Sequence, residues 1–201
     1  MKLNRRGLLA LAALALGGAA LAQQPATVRL RGTVEALTPT TLLLRQPDGD
    51  RVELALAPEL GVTEVYPVQL ADIQPNSFVG VGAMPQADGS QKAIAVTLFP
   101  ESMRGRGEGH RPFDFLPQST MTNATVASVA ATPDGQHLLL RYPGGEKLIV
   151  VAPGTPIVSF RPGDRSLLTV GSTVSLTAQE IAGRPTVTRI SAGRNGFAPP
   201  Y

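Results

Sequence analysis

The chain has 201 residues, with 18 basic and 15 acidic side chains and no cysteine. Three of the basic residues, Lys2, Arg5 and Arg6, precede the first apolar run, so the remaining sequence carries 15 charges of each sign. A nucleic-acid-binding protein needs an excess of positive charge, and only 4% of the residues are aromatic, which leaves few platforms for base stacking. We therefore expect no nucleic-acid partner and a fold stabilised without disulfide bonds.

Residues 1–22 are predicted to be a secretory signal peptide. A basic start is followed by the apolar run LLALAALALGGAALA, and Ala20-Leu21-Ala22 fits a cleavage site. The run is shorter than the roughly 20 strongly apolar residues of a membrane span. The paired arginines leave the twin-arginine export route open beside the general secretory route. We expect a periplasmic or secreted protein whose mature chain has no membrane span.

The rest of the sequence contains two copies of one pattern, about 95 residues apart. The matching segments are residues 33–54 with 125–150, and residues 73–81 with 168–176. Asn76 and Gly171 occupy the same place in the two copies, and both residue types tolerate the left-handed backbone of a tight turn. This self-similarity predicts an internal duplication.

Each copy is predicted to form β-strands. Apolar and polar residues alternate in VRLRGTVEAL and RVELALA, which is typical of strands with one buried face. PDGD, PNS and PGGE between such runs are turn sequences. Because closure of a small barrel removes exposed strand edges, we predict an all-β fold of two tandem OB-like or SH3-like barrels. The predicted parts are barrel repeats at 26–100 and 120–193, an ordered linker at 101–119, and a loosely docked tail at 194–201.

Two sets of segments resemble known proteins. GTVEALTPTTLLLRQPDGDRVELAL and LADIQPNSFVGVGAMPQADGSQKAIAVTLFP resemble a family of exported bacterial β-barrel repeats, a domain of unknown function with an OB-like barrel. FPESMRGRGEGHRPFDFLPQSTMTNATV and PGTPIVSFRPGDRSLL resemble a group of small exported bacterial proteins often labelled metal ABC transporter permeases. The resemblance implies the fold and the export but no catalytic residues. A permease would need several membrane spans, and the sequence after residue 22 contains none.

The linker stretch RGRGEGHRPFDF raises three ligand hypotheses. GRGEG lacks the G-x-G-x-x-G spacing and the following helix of a phosphate-binding loop. An RNA-binding box would carry net positive charge, but the arginines here are balanced by acidic residues (Arg104, Arg106 and Arg111 against Glu101, Glu108 and Asp114). The third hypothesis is a metal site at His110, which lies between Met103 and Met121. Methionine and histidine suit copper, so copper or zinc is the alternative to a site without any cofactor, in which the methionines fill core gaps.

The favoured interpretation of this stretch is a structured connector. Phe113 and Phe115 are too apolar for a freely solvated linker, so we expect them to lie in the seam between the barrels. Arg111 and Asp114 are expected to pair at the rim or with groups on either barrel. Since ligand pockets favour domain interfaces, the seam and Arg104 beside it are the first candidates for a ligand or partner site.

A second candidate site is the loop SFRPGDRSLL. Its two arginines, Arg161 and Arg165, could hold a carboxylate or phosphate. The alternative is a solvated loop in which Asp164 forms a local ion pair of little energetic value.

Catalysis has little support in the sequence. There is no cysteine, no G-x-S-x-G motif, and neither histidine has an evident catalytic partner. We therefore expect a noncatalytic binding or scaffolding protein of the cell envelope. Its partner would be an envelope protein, a cell-wall component or a small ligand at the seam. The alternative is a metal-handling accessory protein of a transport system.

Overall fold

The computed structural model describes residues 27–133 and 135–201, and the predicted signal peptide lies outside the described residues. The all-β prediction is confirmed: twelve strands and three short 3-10 turns make up the regular structure of the described part. The strands are β1 Thr27–Leu37, β2 Thr41–Arg45, β3 Arg51–Pro67, β4 Phe78–Pro85, β5 Gln91–Leu98, β6 Gly109–Pro112, β7 Thr120–Thr132, β8 Gly135–Tyr142, β9 Gly145–Val151, β10 Ile157–Pro162, β11 Thr173–Ile181 and β12 Arg184–Ala192.

Five strands close a β-barrel, which we call ring 1. β1 pairs antiparallel with β2 and β11, β2 pairs with β3, and β11 pairs with β12. The ring closes where β12 runs parallel to β3. Every second side chain of these strands points inward, as the alternating pattern predicted. The result is an apolar interior whose largest fully buried members are Leu42, Leu44, Leu54, Ile190 and Val34.

Another five strands form ring 2. β4 pairs antiparallel with β5 and β7, β7 pairs with β8, and β8 pairs with β9. A short parallel contact between β5 and β9 links the two ends of this series. The apolar cluster inside ring 2 is separate from that of ring 1 and includes Val79, Val81, Leu138, Leu140 and Ile149.

The long strand β3 joins the rings. Its residues up to Glu64 pair with β2 and β12 of ring 1, and its last five residues, Thr63–Pro67, pair antiparallel with β10, where Val65 lies opposite Phe160. β10 also pairs in parallel with β5 of ring 2. The strands therefore form one continuous sheet, and the β3–β10 pair lies at the junction between the two rings.

The predicted tandem boundaries do not match this pairing. Residues 26–100 were expected to close one barrel, but their last strands, β4 and β5, pair with β7 and β9 of the second copy. Conversely, β11 and β12 of the segment 120–193 pair with β1 and β3 of the first copy. Alternation identifies which face of a strand is buried, but not which partner it pairs with. The partners of β4, β5, β11 and β12 therefore could not be predicted from alternation.

The exchange is fixed by hydrogen bonds at two equivalent turns. Asn76 and Gly171 have the predicted left-handed backbone, with φ of 71° and 91°. The Asn76 amide donates to the Val126 carbonyl of the second copy at 2.8 Å, and the Gly171 amide donates to the Val34 carbonyl of the first copy at 2.8 Å. Each turn therefore directs the strand after it onto the first strand of the other copy.

Among residues 27–133 and 135–201 there is no helix whose length and apolar character would let it cross a membrane.

Cutting the chain in the linker should leave the two halves associated. A specific protease site introduced in the turn 104–107 allows a single cut without disturbing a strand. Because each ring takes strands from both halves, we expect the fragments to co-elute in size-exclusion chromatography and to separate only in denaturant. Elution as two independently folded halves would contradict the exchanged pairing.

Candidate ligand-binding cleft

A cleft of about 810 Å³ lies where the two rings meet. Its floor is the β3–β10 pair, which contributes Val62, Val65, Val158 and Phe160. One wall is formed by β1, β11 and β12 of ring 1, and the other by β4, β5 and β7 of ring 2. The volume is in the range of sites that enclose a small organic ligand.

Two glycines let aromatic rings lie against the ring 2 wall. A Cβ on Gly80 would be only 2.7 Å from the Phe99 ring and 2.9 Å from Asn123 Oδ1. A Cβ on Gly82 would be 3.1 Å from the Tyr201 ring and 3.3 Å from the Phe113 ring. Glycine inside a strand often marks the close approach of another group. The two glycines of VGVGA in β4 therefore leave room for the aromatic rings that pack on this strand.

The linker 101–119 connects the two walls, as predicted. Its β6 pairs with β7 of ring 2. The Asp114 carboxylate reaches across to ring 1, where it lies 3.5 Å from Arg31 and 3.9 Å from Arg29. The Arg31 guanidinium also lies 6.0 Å and 5.3 Å from the ring centres of Phe113 and Phe115. Asp114 therefore pairs with groups on a barrel, one of the two predicted alternatives.

The C-terminal tail is docked more firmly than predicted. The Tyr201 ring makes edge-to-face contacts with Phe113 and Phe115, at 5.3 Å and 5.9 Å between ring centres. Its hydroxyl lies 3.1 Å from Thr97 Oγ1 of β5. Burial raises the pKa of the Tyr201 phenol. Pro199 and Pro200 line the cleft beside it, so the end of the chain forms part of the site.

Six arginines but only one acidic side chain, that of Asp114, line the cleft. Arg111 donates to the Gly107 carbonyl at 2.7 Å. In the described part of the chain, Arg106 and Arg189 form no ion pair or side-chain hydrogen bond, and both are exposed. The sequence after residue 22 has 15 basic and 15 acidic side chains, but basic side chains predominate in this cleft. The six are Arg29, Arg31, Arg106, Arg111, Arg161 and Arg189.

Arg161 is held at the cleft by a buried acid. The Glu64 side chain is 4% exposed and lies 2.6 Å from Arg161 Nη2 and 3.1 Å from Arg194 Nη2. Hydrogen bonds from Arg161 and then Arg194 lower the pKa of the Glu64 carboxyl to about 2. Arg161 also lies 4.8 Å from the Tyr66 ring centre. These contacts hold the Arg161 guanidinium in place, and the Glu64 carboxylate offsets its positive charge.

Two buried polar atoms at the cleft have no hydrogen-bond partner. Asn123 is 7% exposed, and its amide nitrogen donates to the Arg106 carbonyl at 3.0 Å. Its Oδ1 has no donor, and the Nε of Arg31 has no acceptor. Unpaired buried polar atoms are costly, and both of these residues line the same cavity. Each atom has less than 1 Å² of accessible surface, so a ligand would have to displace a covering group to reach it.

The other linker candidates lie outside the cleft. Arg104 pairs with Glu101, donates to the Asn76 carbonyl at 2.8 Å and lies over the Phe78 ring. It therefore holds the linker to the turn that directs β4. Phe115 packs beside the cleft under Arg31, and the neighbouring Leu116 is 44% exposed.

The structure does not bring the predicted metal ligands together. His110 is paired with Thr122 across β6 and β7, its Nδ1 lies 2.8 Å from Thr122 Oγ1, and its ring stacks on Tyr142. Burial, and then the charge of Lys147, lower the pKa of the His110 imidazole. Met103 and Met121 instead line the cleft. No cluster of three His, Cys, Asp or Glu side chains suited to a metal ion occurs in residues 27–133 and 135–201.

The arginines of the second candidate loop are separated. Asp164 caps a 3-10 turn by accepting from the Ser166 amide at 2.8 Å. Arg165 donates to the carbonyls of Pro39 and Ala57 in ring 1. Only Arg161 faces the cleft, so the loop does not form the predicted paired-arginine site.

Sequence reasoning missed the arginines on strands. Arg29, Arg31 and Arg189 lie in β1 and β12, where polar residues alternate with core residues and are expected to be solvated. Nothing in their spacing indicates that one cleft collects them. The one sequence signal that could have located the ring 2 wall of the cleft is the VGVGA segment of β4, where two glycines alternate inside a strand.

Comparison of the chain with models of protein families, with curated proteins and with solved structures found no match. The resemblance to exported β-barrel repeats therefore stays a prediction.

Filling the space at Gly80 should destabilise the protein. In Gly80→Ala the new methyl must displace the Phe99 ring and the Asn123 amide, and such overpacking typically costs about 1–3 kcal/mol. The matched control is Gly61→Ala in β3, whose Cβ would meet its nearest atoms at 3.5 Å and 3.6 Å. Urea denaturation measures both variants. Equal stability of the two would contradict the close packing at Gly80.

Glu64→Gln should lower stability at pH 7 and have less effect in acid. The folded-state pKa of Glu64, about 2, is below its ordinary value of 4.5, so the carboxylate stabilises the fold above pH 4.5. That contribution is lost as the pH falls towards 2. Denaturation midpoints of wild type and variant should converge over this range.

The control is Glu59→Gln, because Glu59 is exposed and has no ion pair in the described part of the chain. A Glu64→Gln effect that stayed constant from pH 7 to pH 2 would show that the charge of Glu64 contributes nothing.

Proposed function

We propose that the protein is a noncatalytic binding module of the cell envelope and that its ligand is an organic anion bound in the cleft between the rings. The observation that carries the proposal is the arginine-rich lining. Six arginines line a cavity to which the lining contributes a single acidic side chain. Like charges gathered this closely repel one another, and a bound anion relieves that repulsion.

The arginines differ in how available they are to a ligand. Glu64 already neutralises Arg161, and Asp114 is shared between Arg29 and Arg31. Arg106 and Arg189 form no side-chain pair in the described residues, so their donors are free to bind an anion. Guanidinium groups can bind carboxylates and phosphates through two parallel hydrogen bonds.

The floor of the cleft favours a ligand with an apolar part. The rings of Phe99 and Phe160 both line the cleft and lie 6.0 Å apart between ring centres, which gives the cleft an aromatic surface. Val62, Val65 and Val158 extend it. Pockets with apolar walls and a few placed polar groups are typical of specific binding sites. The ligand would place its apolar part on this floor and its charge against the arginines.

We further infer that the two rings are OB-like barrels produced by duplication, with their last two strands exchanged. The register shift between β1 and β2 falls at Val34/Ala36, and that between β7 and β8 falls at Val126/Ser128, the matching position of the second copy. Register shifts also occur at Gly82/Ala83 in β4 and at Thr177/Ala178 in β11. Because bulges are specific structural features, their recurrence at matching positions supports a common origin.

The binding proposal is tested with a matched pair of probes, naphthalene-2-sulfonate and naphthalene-2-sulfonamide. They share one shape, but only the sulfonate is charged at pH 7. We expect the sulfonate to bind more tightly in isothermal titration calorimetry, and its affinity to fall as salt is added. Arg106→Gln and Arg189→Gln should each weaken sulfonate binding about two- to fivefold and leave the sulfonamide unaffected.

Arg184→Gln is the matched control, because Arg184 is an exposed arginine of β12 outside the cleft lining. Equal affinity for the two probes, or an equal loss in all three variants, would contradict an anion site in the cleft.

A further inference from the structure

The cleft already holds a piece of peptide. Pro199, Pro200 and Tyr201 lie along its ring 2 side, with the Tyr201 ring against Phe113 and Phe115 and its hydroxyl at Thr97. The cavity of about 810 Å³ remains open beside this segment. The surface that accepts a proline-rich, aromatic stretch of the chain itself therefore continues into unfilled space.

The two unpaired polar atoms match the chemistry of a peptide backbone. Asn123 Oδ1 needs a donor and Arg31 Nε needs an acceptor. Every residue of a peptide except proline offers an N–H and a C=O. Asn123 is nine-tenths buried, and its amide nitrogen donates to the Arg106 carbonyl of the linker. Its Oδ1 has less than 1 Å² of accessible surface, so a peptide N–H would reach it once a covering group moves aside.

The charge of the cleft selects among peptides. Arg106 and Arg189 at the rim form no ion pair among the described residues, and Arg29 and Arg31 share one carboxylate. Acidic side chains of a bound peptide would pair with them, whereas basic ones would be repelled. The aromatic floor at Phe99 and Phe160 would receive an apolar side chain.

We propose that the cleft binds an extended acidic peptide segment of a partner protein, with an apolar or aromatic side chain on its floor. This inference rests on the proposed function, since it names the class of anion that the site takes. An acidic glycan shares the charge and the hydrogen-bond donors. The peptide is favoured because the chain's own peptide already packs in the same cleft.

The test measures binding of a capped peptide, acetyl-Glu-Pro-Phe-Glu-Asp-amide, to the full-length protein by isothermal titration calorimetry. One comparison peptide has Gln and Asn in place of the acids, and a second has its backbone amides N-methylated. We expect both to bind at least about tenfold more weakly, because one loses the ionic contacts and the other the donor to Asn123. Arg189→Gln should weaken the acidic peptide about two- to fivefold, with Arg184→Gln as control.

Tetragalacturonate, an acidic glycan, serves as the competing probe. If it binds more tightly than the acidic peptide and depends on Arg189, the occupant is a glycan and the peptide inference is overturned while the anion site stands. The peptide inference is also overturned if the acidic and neutral peptides bind equally, or if neither binds although naphthalene-2-sulfonate does. If naphthalene-2-sulfonate also fails to bind, the proposed function fails together with the inference.

Discussion

Neither ring is complete without strands from the other half of the chain. β12 closes ring 1 against β3, and β5 links the ends of ring 2 against β9. The exchange is enforced at two left-handed turns whose amides bond to the opposite copy. Since an unpaired strand edge is both costly and prone to aggregation, pairing across the halves ties the folding of each ring to that of the other. The β3–β10 pair at the junction follows from this constraint.

The same constraint creates the cleft. The two rings meet at the β3–β10 pair, and residues of both rings line the cleft above this floor. The walls occupy equivalent places but carry different residues. Arg31 pairs with Ser175 on the ring 1 wall, where the ring 2 wall has Asn123 beside Gly80. The ring 1 wall carries Arg29, Arg31 and Arg189, whereas the glycines of the ring 2 wall leave room for aromatic rings.

The linker and the tail then make the site asymmetric. Both pack on the glycine-containing wall, and the linker reaches the arginine wall only through Asp114 and the contact of Arg31 with the two phenylalanines. Aromatic rings there provide an apolar surface, while the arginines opposite keep their charge. A cleft that combines an apolar aromatic surface with several arginines suits a ligand with the same two characters, which is the basis of the binding proposal.

Some features of the site followed from the sequence and others did not. The linker was predicted to dock in the seam because Phe113 and Phe115 are too apolar for solvent, and Phe113 lines the cleft. Arg111, Asp114 and Arg161 were also singled out and do lie there. His110 and Arg165 were predicted on residue type alone, but one faces Thr122 and Tyr142 and the other reaches two backbone carbonyls. Residue type indicates what a side chain can do, but not what it faces.

The sequence by itself determined the alternating strands, several of the turns and the all-β class. These depend on local alternation of apolar residues and on residues such as Asn76 that accept a left-handed backbone. Tertiary structure alone decided which strands pair and which arginines share a cleft. Alternation specifies which face of a strand is buried but not which strand lies beside it. The pairing between the two halves of the chain therefore depends on long-range contacts. Arg29, Arg31 and Arg189 become one site only when those contacts bring β1 and β12 to the same wall.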